Sequence, residues 1–222
     1  MNISEQEDLL FADWREKRPD LVADGITDEQ TYSSSPIKLL FVLQDVNDPC
    51  GGGWDLREFM RAGGRPQTWS NITRWTEGIR QLLNDIPWSD LESVDELRRK
   101  QALRSIAAIN LKKTPGGHTT NLYGLAATAA EDKEFLNRQM GLHDPDIIIC
   151  FGTVTSDIFH SLIHFSNEPA WKITRRGIWF HEFKPGKYLI SYAHPEARVA
   201  DCLLYYGLVD AVREIINANL KS

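Results

Sequence analysis

Three stretches of the chain are apolar almost without interruption: IKLLFVL at 37–43, SIAAINL at 105–111 and DIIICF at 146–151. Runs of this length with many β-branched members suit strands covered on both faces. Between them apolar positions recur at helical spacing. An acidic amphipathic helix is expected at 3–17, followed by a polar connector ending at Ser33-Ser34-Ser35-Pro36. Further helices are expected at 55–62 and 69–83, where Trp69, Ile72, Trp75, Ile79 and Leu82 share a side, and at 93–103 with Ser93 as N-cap. Others follow at 125–141 and 154–164, and a long one at 198–219. IWFHEF (178–183) and KYLISY (187–192) flank Pro185-Gly186 and read as a strand pair. Alternating strands and helices predict a parallel sheet between helical layers. The expected fold is thus a three-layer α/β/α domain with a central, mostly parallel sheet of four to five strands. It spans 1–222 as a single domain, with 1–35 as an N-terminal helical extension.

In such sheets ligands bind outside the carboxyl ends of the strands. The polar residues that follow the apolar runs therefore converge: Gln44 and Asp45, Asn110, Gly152-Thr153, and His194. A carboxylate held at Asp45 can stabilise a developing cation or orient water. It can equally cap a turn, and Asn47 and Asp48 compete for the same role. Asn110 offers donors and an acceptor suited to a base edge, or it satisfies local backbone. His194 could donate to a leaving-group oxygen, and a helix N-terminus pointing at it would favour the neutral imidazole. The structural alternative is a histidine that only packs.

Charge narrows this picture. Lys and Arg number 25 against 31 Asp and Glu, a net charge of −6, which argues against a protein that simply coats nucleic acid. An enzyme with a local basic face stays open, although ordinary solvated surface explains the scattered Arg and Lys as well. Three cysteines, Cys50, Cys150 and Cys202, have no CxxC spacing and give no disulfide framework or cysteine-rich metal site. Cys150 reads as inert packing. His160 and His164 have i, i+4 spacing but no completing ligand, so ordinary helix histidines are expected. No apolar run reaches the roughly 20 residues that span a bilayer, and the N-terminal stretch lacks a signal-peptide layout. A cytoplasmic monomer with no membrane partner is expected.

The segments IKLLFVLQD, SIAAINL, PDIIICFG and YAHPEAR, in this order, resemble the motifs of the uracil-DNA glycosylase superfamily over most of 37–200. Gln44-Asp45 falls on the Gln-Asp pair that ends that family's first strand, Asn110 on its pyrimidine-reading Asn, and His194-Pro195 on the start of its last motif. The resemblance implies a DNA glycosylase that flips out a base and hydrolyses its N-glycosidic bond without metal or cofactor. Asp45 and His194 would be catalytic, with Gln44 supplying loop contacts. Asn110 would read the base, Trp54 would stack on it, with Phe59 the second candidate, and Asn47 would add contacts. Both aromatics have core packing as an alternative. Arg198, on the first turn of the last helix, would take the wedge position, and Lys112, Lys113 and Thr153 would meet DNA.

The departures from the family pattern refine the substrate. Val46-Asn47 replaces the Pro-Tyr that excludes C5 substituents in uracil-specific members, which should open space beside C5. Asn47, Asp48 and Gly51-Gly52-Gly53 could then contact a substituent. A modified pyrimidine is expected, either uracil or a C5-substituted cytosine such as glucosylated hydroxymethylcytosine, in phage defence or base-excision repair. Glu196 stands where the family often has a small Ser near phosphate, and a carboxylate there would need a partner such as Arg198 or a Lys. His118 and Thr119-Thr120 could touch substrate or decorate a loop. The alternative from another class is a catalytically silent member of the fold that binds DNA or protein, and a third is an enzyme acting on free nucleosides or nucleotides.

Overall fold

The structure, a computed structural model, describes residues 1–48, 51–117, 121–165 and 170–219. Cys50 and 118–120, singled out above, lie outside the described residues.

The chain opens with α1 (Ile3–Lys17), started by a reciprocal capping box between Asn2 and Glu5. Then come β1 (Gly25–Ile26) and α2 (Glu29–Ser33), the latter capped by Asp28. The first long apolar run forms β2 (Leu39–Leu43). It is followed by α3 (Leu56–Arg61), α4 (Pro66–Arg80), α5 (Trp88–Leu91) and α6 (Glu96–Leu103). The second run gives β3 (Ala107–Asn110), then α7 (Leu122–Glu131) and α8 (Lys133–His143). The third gives β4 (Ile147–Phe151), followed by α9 (Thr153–Leu162) and β5 (Lys172–Ile173). The chain closes with β6 (Trp179–Lys184), β7 (Lys187–Tyr192) and α10 (Asp201–Asn219).

Among the described residues the strands make one mixed sheet of seven in the order β1-β3-β2-β4-β7-β6-β5. Its four central strands are parallel, with Leu43 opposite Asn110, Val42 opposite Cys150 and Phe151 opposite Tyr192. The expected α/β class holds, but the sheet is wider than four to five strands. Two-residue edge strands β1 and β5 pair antiparallel with β3 and β6, and β6 pairs antiparallel with β7. Strands that short carry no periodicity to read.

Alternation along the central strands sends side chains to two cores. Leu39 and Phe41 join Trp69, Ile72 and Trp75 of α4 and Leu204, Leu208 and Val212 of α10. Leu40 and Val42 join Phe11 and Trp14 of α1, Leu125 of α7, Leu136 of α8 and Phe159 of α9. Each such buried side chain contributes about 1.5–3 kcal/mol of transfer free energy. Among the described residues no helix is long and apolar enough to cross a membrane.

Several boundaries move. The helix expected at 125–141 is two, broken at Asp132 (φ −98°, ψ 11°), whose fully buried carboxylate takes Lys17 at 2.9 Å and Arg18 at 3.1 Å. The N-cap of α6 is Asp95 rather than Ser93, accepting the Arg98 N–H at 2.7 Å, while the Ser93 carbonyl accepts from the Arg98 guanidinium. The last helix starts at Asp201, so Arg198 lies in the preceding loop and not on its first turn. His164 falls beyond the end of α9, so it does not share that helix with His160. The connector before β2 is only partly polar in role: Leu21, Val22, Ala23, Asp24 and Tyr32 are all buried.

Candidate active site

Beyond their last paired residues, β2 and β3 stay zipped together. The Leu111 N–H donates to the Leu43 carbonyl at 3.0 Å, Lys112 N–H to Gln44 at 2.9 Å and Gly116 N–H to Val46 at 2.8 Å. The Asp48 N–H then returns to the Gly116 carbonyl at 3.1 Å. This irregular ladder fixes residues 44–48 at the carboxyl edge of the sheet. Above it opens a cleft of about 910 Å³ lined by Gln44, Asp45, Asn47, Trp54, Phe59, Asn110 and His194, all of which the sequence nominated.

Asp45 keeps only 6% of its side chain exposed, with Lys112 Nζ 3.4 Å from Oδ2. Lys112 also donates to the Pro115 carbonyl at 3.2 Å, so its ammonium faces the Asp45 loop. The Gln44 amide donates to Thr155 Oγ1 on α9 at 3.2 Å. Asp48, the competitor of Asp45, accepts the Trp54 indole N–H at 2.8 Å. That bond holds Trp54 against the cleft, where it meets Phe59 edge-on at 6.1 Å. Asn47 bridges to Gly116 at the exposed rim.

Asn110 closes the floor and is 1% exposed. Its Nδ2 donates to Asp24 Oδ2 at 3.2 Å, and its Oδ1 has no hydrogen-bond partner among the described residues. On the facing wall His194 Nδ1 accepts the Glu196 N–H at 3.1 Å. Desolvation of the ring, edge-on to Phe151 at 5.9 Å, pushes its pKa down; Glu196 opposes this and Arg65 adds to it. The imidazole is therefore neutral near pH 7, and because Nδ1 accepts, the proton sits on Nε2. A neutral Nε2–H is thus available as a donor.

Glu196 finds its partners in Arg65, at 2.8 Å, and the Thr68 hydroxyl, rather than in Arg198. Burial would raise its pKa, but the Thr68 and Arg65 contacts win and hold the carboxyl below its usual range. Arg65 and Thr68, at the start of α4, line the cleft and carried no motif to reveal them. Asp24 was equally hidden, in a segment that reads as a connector.

The four residues nominated to meet DNA do not line the cleft, although Lys112 reaches Asp45 at its edge. Lys113 is 1% exposed and pairs with Asp24 at 2.6 Å, so it cannot meet DNA as expected. The chain bends at Leu111 and Lys112, beyond the end of β3, and Lys112 is left towards Asp45 while Lys113 enters the core. Thr153 is exposed at the start of α9, and Arg198 is exposed in the loop after β7. His160 packs in an aromatic cluster with Trp171, 4.8 Å between ring centroids, and His181 at 5.1 Å. Among the described residues no three His, Cys, Asp or Glu side chains cluster as a metal site would need. Burial pushes the Cys150 thiol far up, as inert packing requires.

No protein-family model matches the chain, and no curated protein matches it.

Proposed function

We propose that the chain is a uracil-DNA glycosylase-like enzyme that flips a modified pyrimidine out of DNA and hydrolyses its N-glycosidic bond. One observation carries the reading. Asp45, Asn110 and His194 come from three separate strand ends, yet they line one cleft with complementary chemistry. Asn110 brings an unpartnered acceptor, His194 a neutral donor, and Asp45 a shielded carboxylate.

The chemistry follows from those groups. As the bond between C1′ and the base nitrogen breaks, its electron pair leaves with the base. The sugar becomes an oxocarbenium-like cation, which the Asp45 carboxylate stabilises. The growing negative charge on the base carbonyl oxygen meets His194 Nε2–H. Water adds at C1′, and the proton it loses is taken up by the departed base anion, leaving an abasic sugar and the neutral free base. Trp54 stacks on the extruded ring. Arg198 and Thr153, exposed on the same edge of the sheet, meet the duplex.

The cleft lies near the upper end of the range for small-molecule pockets, about 300–1,000 Å³. Asn47, Asp48, Arg65, Thr68 and Glu196 place polar groups around it. That room supports a substrate with a bulky C5 substituent, such as glucosylated hydroxymethylcytosine, over plain uracil.

The test is an alkaline-cleavage assay on matched strands carrying uracil, 5-hydroxymethylcytosine, its glucosylated form or cytosine. Wild type should leave abasic sites on one modified strand, and Asp45→Ala should leave none. DNA binding without abasic sites on any strand would instead identify a silent binding module. Equal reaction of a free nucleoside would identify a nucleoside hydrolase.

A further inference from the structure

The cleft floor belongs to a polar cluster that is almost wholly buried. Asp24 and Gln139 are 0% exposed, and Asn110 and Lys113 are 1% exposed. Asp24 Oδ2 accepts both the Asn110 backbone N–H at 2.7 Å and its Nδ2–H at 3.2 Å. Asp24 Oδ1 accepts from Lys113 Nζ at 2.6 Å and from Gln139 Nε2 at 3.0 Å. Lys113 also donates to Gln139 Oε1 at 2.9 Å, and its ammonium lies 5.1 Å from the centre of the Trp14 ring. Burying such a charge pair is a poor route to stability compared with apolar packing, so its geometry matters more.

We infer that Asp24 is a positioning residue: held by Lys113 and Gln139, it locks the Asn110 amide one way round, so that Oδ1 is the acceptor left to meet a ligand. Turning the amide over would set Oδ1 against the Asp24 carboxylate, two acceptors with no proton between them. The Asn110 reader therefore presents its acceptor in one fixed orientation. It selects bases that present an N–H, whether a ring imide N–H as in uracil or an exocyclic amine as in cytosine. It rejects a base such as 2-pyrimidinone, which offers neither. The base-selection part rests on the glycosylase reading; the locked amide does not.

The experiment has two arms, chosen to separate those claims. In the wild-type protein, hydrogen exchange followed by NMR reads the Asn110 side-chain amide protons. They should exchange slowly, and exchange as fast as in surface Asn side chains would overturn the inference without any variant. The Asp24→Asn/Lys113→Met double variant removes both charges together, so neither is left buried alone, and protection of those protons should then be lost.

The second arm compares excision of the best donor-bearing base with that of 2-pyrimidinone in the same strand. Wild type should prefer the donor-bearing base by at least about 100-fold, since sites built to hydrogen-bond an N–H reject analogues lacking it strongly. In the double variant the freed amide can turn, and the preference should shrink at least about tenfold. Comparing the two enzymes cancels the intrinsic lability of each base. An unchanged preference in the folded variant overturns the inference. If wild type excises nothing, the glycosylase reading falls and the exchange arm alone decides the locked amide.

Discussion

A methyl group added at Gly116 would overlap the Asp45 carboxylate. The backbone cannot retreat, because the Gly116 N–H and carbonyl both belong to the ladder with Val46 and Asp48, at 2.8 and 3.1 Å. The movable partner is the Asp45 side chain, so Gly116→Ala should push the carboxylate aside by about 1 Å. Misplacing a reacting group by that much costs about 100-fold in rate, or roughly 2.7 kcal/mol at 1.36 kcal/mol per tenfold. The site is half-exposed, so overpacking should cost the fold only about 1 kcal/mol, the low end for inserted methyls. Single-turnover excision at saturating enzyme reads the first quantity, and urea unfolding reads the second. Gly141→Ala is the control: it sits exposed in α8 with nothing within 4 Å of the added carbon. It should keep the wild-type rate and gain about 0.5–1 kcal/mol of stability. A wild-type rate in Gly116→Ala, or a rate lost only because the protein unfolds, would refute the placement of Asp45.

Further consequences are open to measurement. Lys113→Met leaves the Asp24 carboxylate buried alone and should cost about 3–5 kcal/mol by urea unfolding, largely restored by adding Asp24→Asn; a loss under about 1 kcal/mol would contradict the pairing. Burial, with His160 and Lys172 adding and Glu182 opposing, pushes His181 down to about 4. Between about 6.5 and 4 the unfolded chain then binds the extra proton, so stability is full above that window and falls with pH by up to about 1.4 kcal/mol per unit. His181→Phe should flatten that slope in urea midpoints, and an unchanged slope would sink the assignment. The Cys150 thiol should resist an aromatic disulfide reagent in the native protein and react only after unfolding.

The central strands were legible because residues buried on both faces must be apolar without a break, and three such runs became β2, β3 and β4. The edges were not, since β1 and β5 contribute two residues each. The Asp132 break escaped notice for a different reason. Apolar spacing continues across it, and the ion pairs that occupy its carboxylate come from α1, more than a hundred positions away. At the site, the rule that ligands bind at strand ends placed Asp45, Asn110 and His194 together from a one-dimensional pattern. It could not find Asp24, whose role exists only through partners on β3, α8 and the loop between β3 and α7. The same blindness put Lys113 on the surface, because a pair of adjacent lysines looks solvated until the strand direction is known.

The central claim is tested most directly by product balance. Wild type and Asp45→Asn would each be incubated with DNA carrying the preferred modified pyrimidine, with the released base counted by mass spectrometry and abasic sites counted by alkaline cleavage. Wild type should yield intact free base and abasic sites in equal amounts, and Asp45→Asn should yield neither while still binding the strand. Binding by wild type with no base released, or equal release by Asp45→Asn, would contradict a hydrolytic glycosylase built around Asp45.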